Sequence, residues 1–145
     1  MERRLDFRLV PMAISLALCM GFTAAQAGEL SIEFKEKGAK EGTIYFAVFD
    51  TAGDWLKKPL RSEKVAIANE SATALIADLP PGEYAISAFH DLNGNGKLDS
   101  NFIGIPNEPF GFSNDASGSF GPPKFDQAKF KIAAANEKIV INVKK

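Results

Sequence analysis

Cysteine is nearly missing from this 145-residue chain: the only one, Cys19, lies in an apolar run near the N-terminus. Loss of that run leaves no thiol, which excludes both disulfides and cysteine catalysis from the rest. Histidine is equally scarce, with His90 alone. One imidazole without a thiol cannot assemble the nitrogen and sulfur ligands of a zinc or iron site, and there is no second histidine for an acid–base relay. Neither a G-x-S-x-G elbow nor a phosphate-cradling glycine loop followed by a helix occurs. Cationic charge is not concentrated either: 17 Lys and Arg face 18 Asp and Glu, and no basic cluster stands beyond the N-terminal arginines and Lys144-Lys145. Nucleic acid is therefore not an expected partner.

The chain also lacks an apolar run long enough to span a bilayer. Leu9 to Phe22 is about fourteen residues and contains Pro11, against the roughly 20 that a membrane helix needs. With Arg3, Arg4 and Arg8 before it and Ala25-Gln26-Ala27 after it, this is the pattern of a cleaved export signal, residues 1–27, ahead of one domain over 28–145. Leu18 is too large for the small residue that precedes a lipidated cysteine, so Cys19 is not read as an anchor. The expected location is periplasmic or secreted, with no membrane span after cleavage.

What is present is strand pattern. Leu30, Ile32 and Phe34 alternate with Ser31, Glu33 and Lys35; Gly42 to Asp50 is β-branched and aromatic; Glu63 to Asn69 and Ala72 to Asp78 form a hairpin about Asn69-Glu70-Ser71. That triplet also satisfies a glycosylation pattern, but it is read as a turn. Leu79-Pro80-Pro81-Gly82 turns into a strand from Tyr84 to Phe89, and two more strands, about Gln127–Ala133 and Lys138–Val143, close the chain around a turn at Ala134 to Glu137. Trp55, the one tryptophan, is expected to cap the core from the Asp50–Arg61 loop. About seven strands without an amphipathic helix predict an all-β fold, an antiparallel β-sandwich on the transthyretin-like or immunoglobulin-like plan.

The strand ending at Phe89 runs into His90-Asp91-Leu92-Asn93-Gly94-Asn95-Gly96-Lys97-Leu98-Asp99. Side-chain oxygens at Asp91, Asn93 and Asn95, a glycine at the sharp turn, the Lys97 carbonyl and Asp99 follow the first nine positions of a calcium loop. The closing bidentate Glu is missing, because Phe102 stands there. Calcium takes about 6–8 oxygens, so water, Glu108, Asp115 or Asp50 must complete the shell, and affinity is expected near 10⁻⁴–10⁻³ M, roughly that of extracellular modules. Two Asn-Gly pairs alone would equally make tight turns, but a turn has no use for Asp99.

From Ile103 to Phe125 the chain has no period, yet it is rich in Phe as well as Gly and Pro. A solvated linker would be polar, so this loop, 102–125, is expected to be ordered and packed. Pro106, Glu108, Phe110, Phe112 and Phe120 are its candidate partner-facing residues.

The run LPPGEYAISAFHDLNGNGKLDSNFIGIPNEPFGFSND, followed by FGPPKFDQAKF, resembles the bacterial family of exported proteins known as DUF2141. The resemblance implies a small exported β-sandwich, supplies no catalytic residues, and places the metal-like and Phe-rich loops on one surface. Two functional readings follow. In the first, a non-enzymatic module holds Ca2+ in 91–99 and thereby orders a recognition loop for an envelope protein, peptide, glycan or lipid. In the second, a small hydrolase uses acidic residues such as Asp99 and Glu108 around the same loop.

Overall fold

The computed structural model of the protein describes residues 27–133 and 136–145. The expected export signal, 1–27, falls outside these residues apart from Ala27, as do Ala134 and Ala135 of the last expected turn. Eight strands follow in order: β1 Gly28–Lys35, β2 Glu41–Phe49, β3 Arg61–Ala68, β4 Ser71–Leu79, β5 Gly82–Asp91, β6 Phe110–Phe112, β7 Phe130–Ile132 and β8 Glu137–Asn142. One short helix, α1, covers Phe125–Ala128.

The all-β expectation holds, and the strands join as β6-β5-β2-β3-β4-β1-β8, with β7 against the start of β5. Every pair is antiparallel except β1 with β8, which run parallel. The β3–β4 hairpin turns on Asn69 and Glu70, both at positive φ, as a two-residue turn requires. Past that turn the two strands pair only at Ala68 and Ser71, and the Arg61 guanidinium donates to the Ala77 carbonyl at 2.9 Å where a ladder would otherwise run. The sheet folds over at this seam. Its two ends meet again where Phe110 and Lys144 exchange backbone hydrogen bonds, each 3.0 Å, leaving a flattened barrel with few free edges.

Alternation along the strands fills the interior. Leu30, Ile32 and Phe34 of β1 face Ile44, Phe46 and Val48 of β2 across the fold, and the Phe34 and Phe46 rings lie 5.1 Å apart although their strands are not sheet neighbours. Each such fully buried side chain contributes about 1.5–3 kcal/mol. His90 closes one end of this core at 2% exposure. Its Nε2 lies against Gly42, where a Cβ would come within 1.9 Å, and its Nδ1 is 2.8 Å from Glu36 Oε2 without the alignment of a hydrogen bond.

A second apolar cluster lies on the outer face of β2 and β5. Trp55 meets Phe49, Phe112 and Phe125 there, and its Nε1 donates to the Pro123 carbonyl at 2.8 Å. The expectation that Trp55 caps a core is met by this satellite. Two elements differ from the sequence reading. β6 appears inside the Phe-rich loop, where Gly and Pro hid a three-residue strand. Gln127 and Ala128 end α1 rather than begin a strand, because Ser113 Oγ bonds the Ala128 carbonyl at 2.6 Å and the Ile86 N–H at 2.8 Å, holding that turn against β5.

Candidate functional site

Alternate residues of β5 set out the outer face in order: Ala85 in the satellite core, then Ser87, Phe89 and, at the strand end, Asp91. Asp91 is 5% exposed. One of its oxygens, Oδ1, accepts the Gly94 N–H at 2.8 Å and the Asn95 N–H at 3.2 Å, while Oδ2 accepts that of Gly96 at 2.7 Å. Wrapping N–H groups round one carboxylate requires left-handed backbone at Gly94 and Gly96, with φ of 76° and 73°. Desolvation works to raise the Asp91 carboxyl, and the N–H groups of Gly96, Gly94, Asn95 and Asn93 together outweigh it, leaving it below its ordinary value.

The other loop oxygens gather beside it. Asn93 Oδ1 accepts the Asn95 N–H and Asn95 Oδ1 that of Lys97, while both side-chain amides donate to Asp99 Oδ2. Asp91, Asn93, Asn95 and Asp99 are thus brought together by hydrogen bonds, with Lys97 in the same turn. Among the described residues no three His, Cys, Asp or Glu side chains form a metal-holding group. The acidic side chains of the loop are those of Asp91 and Asp99, with the Asn93 and Asn95 amides beside them.

Glu108 has a different place from the one its sequence suggests. It is 4% exposed, and its carboxylate accepts the Leu92 N–H at 2.8 Å through Oε1 and the Asp99 N–H at 3.0 Å through Oε2. One buried acid therefore clamps both ends of the 92–99 loop. Asn107 N–H donates to the Asp99 carbonyl at 2.7 Å and His90 N–H to that of Pro109 at 2.9 Å, so residues 107–109 are stitched along the loop. Glu108 is removed from the partner-facing set, because its oxygens satisfy two backbone donors beneath the surface. A signal for this existed: Glu108 and Asp115 are the only charged residues between Asp99 and Lys124, and both bind backbone. Asp115 accepts Asn142 N–H and Nδ2, at 3.0 and 2.7 Å.

The remaining surface candidates divide. Phe112 is 9% exposed, packed mainly in the satellite core, and reaches the surface only as part of the floor of an apolar groove. Pro106 and Phe110 are half-buried and line an apolar groove of about 570 Å³ over Phe89, walled by Leu56, Leu98, Ile105 and Pro122. Phe120 stands wholly exposed. Sequence reasoning expected the whole Phe-rich loop to be packed, whereas Phe102 at 99% and Ile103 at 64% also project. They tip a hairpin closed by the Ser100–Pro106 bridge and by Asn101, whose Oδ1 accepts the Ile103 and Ile105 N–H groups. A Phe at the tip of so tight a turn has no core within reach.

Comparison with known proteins gives a family and little more. No curated protein matches the chain. Among solved structures, a pilus-presented adhesin, Spy0125 (Cpa), is similar at 12% identity and a TM-score of 0.30 over 83% of this chain and 28% of that one. A cysteine-to-alanine mutant of the same adhesin gives 11% and 0.30 over the same shares. The chain thus spans under a third of the adhesin's length, and so loose a superposition transfers nothing about binding. The model of a family described as uncharacterized proteins conserved in bacteria, DUF2141, matches residues 32–140. The chain belongs to that family.

Proposed function

We propose that this protein is an exported, non-enzymatic β-module of the periplasm or the cell exterior, in which a calcium ion held by the 91–99 loop orders an apolar recognition surface beside it. The donors would be Asp91, Asn93, Asn95, the Lys97 carbonyl and Asp99. The observation that carries the reading is the shared footing of the two parts. Asp91 and the groove floor at Phe89 lie on one face of β5, and Glu108 and Asn107 tie the donor loop to the hairpin that bears Phe102. For the ion to enter, the Asn93 and Asn95 amides turn over so that oxygen rather than nitrogen faces the centre, at the loss of their bonds to Asp99. With two carboxylates the site suits the calcium levels found outside the cytoplasm, at a Kd near 10⁻⁴–10⁻³ M by order of magnitude.

The test is thermal unfolding in excess chelator and in millimolar calcium. A Kd near 10⁻⁴ M adds on the order of 1.5–3 kcal/mol of stability at about 1–10 mM calcium. Asp91→Ala should abolish the gain. Because Asp91 also holds the loop N–H groups, Asp99→Asn, which keeps one acceptor oxygen for the Asn93 and Asn95 amides, is measured beside it, and its gain over its own chelator baseline should be reduced. Equal melting of the unsubstituted protein with and without calcium would sink the proposal and leave a double Asn-Gly turn.

A further inference from the structure

Two loop tips carry aromatic rings that the fold leaves in water. Phe102 is 99% exposed and Phe120 106%, and Ile103 and Ile105 follow Phe102 at 64% and 55%. Burying one such Phe is worth roughly ten- to a hundredfold in an equilibrium, so several of them on exposed loop tips mark a surface that meets something apolar. The apolar groove runs between the two tips, with Ile105 on one wall and Gly121-Pro122 on the other.

Charge decides what the occupant is. The exposed lysines Lys57, Lys58, Lys97 and Lys124 lie within two residues of the groove residues Leu56, Leu98 and Pro122, while the nearby acids are Asp54, Asp99 and Asp126, the last paired with Lys129 at 3.2 Å. A second copy docked face to face would bring lysines against lysines. An anionic lipid surface instead offers phosphates to the lysines and acyl chains to the separate apolar tips, as bilayer interfaces accept aromatic rings above a cationic belt.

We propose that this face is a peripheral membrane contact, with Phe102 and Phe120 entering the headgroup–acyl boundary of an anionic bilayer and the four lysines resting on its phosphates. In its regulation, though not in its surface, the proposal rests on the calcium reading. An ion in the 91–99 loop would offset Asp99 and fix the hairpin from Ser100 to Pro106, strengthening attachment.

The experiment uses the full chain, expressed and purified as the cell processes it. Sedimentation is measured with vesicles of phosphatidylcholine containing roughly one-third phosphatidylglycerol and with pure phosphatidylcholine, each in calcium and in chelator. Phe102→Ser and Phe120→Ser are compared with the unsubstituted protein carrying the same N-terminus, since both rings lie outside the packed structure and their loss leaves the fold intact. The expected result is binding to anionic vesicles that weakens about tenfold or more with either substitution and about fivefold for each lysine replaced by Gln. Equal binding by the Phe variants, or equal binding to pure phosphatidylcholine, overturns the proposal. So does a dimer in solution that dissociates on Phe102→Ser, which would assign the face to a second copy. Binding that is lost in the Phe variants but indifferent to calcium keeps the membrane contact and removes calcium control. Calcium-dependent melting without vesicle binding does the reverse.

Discussion

Replacing Glu108 by Ala should detach the 92–99 loop from the barrel, and the size of the effect follows from two bonds. The Glu108 carboxylate holds the Leu92 and Asp99 N–H groups at 2.8 and 3.0 Å and is itself buried. A hydrogen bond to an ionised group contributes roughly 1.5–3 kcal/mol. Leu92 is largely exposed, so water recovers part of the loss at that end, and the expected net cost is about 2–4 kcal/mol. For a domain of this size that lowers Tm by approximately 8–16 °C, at about 4 °C per kcal/mol. Glu108→Gln separates bonding from volume. It keeps the shape and one acceptor but sets an NH₂ against the other backbone donor, so it should lose at least half as much. Calorimetry supplies the Tm, and hydrogen exchange supplies the location: the amides of Leu92 and Asp99 should exchange faster while those of β1 and β4 keep their protection. If both variants melt within about 2 °C of the parent, or if protection falls uniformly, Glu108 is no clamp and the link between the donor loop and the apolar hairpin fails with it.

Two further outcomes test the scaffold. Ser113→Ala leaves the Ile86 N–H and the Ala128 carbonyl buried without a partner, so the urea midpoint should fall by an amount worth about 2–4 kcal/mol at unchanged m; a loss under about 1 kcal/mol would show that water enters there. Glu36 is raised above its ordinary 4.5 by burial, opposed in part by the His90 imidazole 2.8 Å away. The folded chain therefore holds that proton more tightly than the unfolded one, and the stability it contributes is full below 4.5 and lost as pH climbs through the raised folded value. Glu36→Gln should flatten that slope in Tm measured across weakly acidic to neutral pH, and an unchanged slope would clear Glu36 of the effect.

Alternation of apolar and polar residues determined most of the strands. A run such as Leu30, Ile32, Phe34 has one buried face only as a strand, and Asn69-Glu70 between two such runs closes a hairpin. The loop at Asp91 was equally legible, because a side chain that accepts N–H bonds from residues three to five further on is a local arrangement, written in residue spacing. Contacts between distant segments were not legible. Whether a Phe near a glycine enters a core depends on what lies opposite: Phe112 and Phe125 find Trp55, whereas Phe102 and Phe120 find nothing. Glu108 looked like a surface acid because solvent is where unpaired acids belong, and only the approach of β6 to the end of β5 delivers the two N–H groups that hold it inside. The parallel pairing of β1 with β8 and the bridge from Phe110 to Lys144 were likewise beyond the sequence, since closure of a sheet is a long-range event with no local period to announce it. Local spacing thus determined the strands and the turn about Asp91, and tertiary closure decided which acids and aromatics face inward and which stay in solvent.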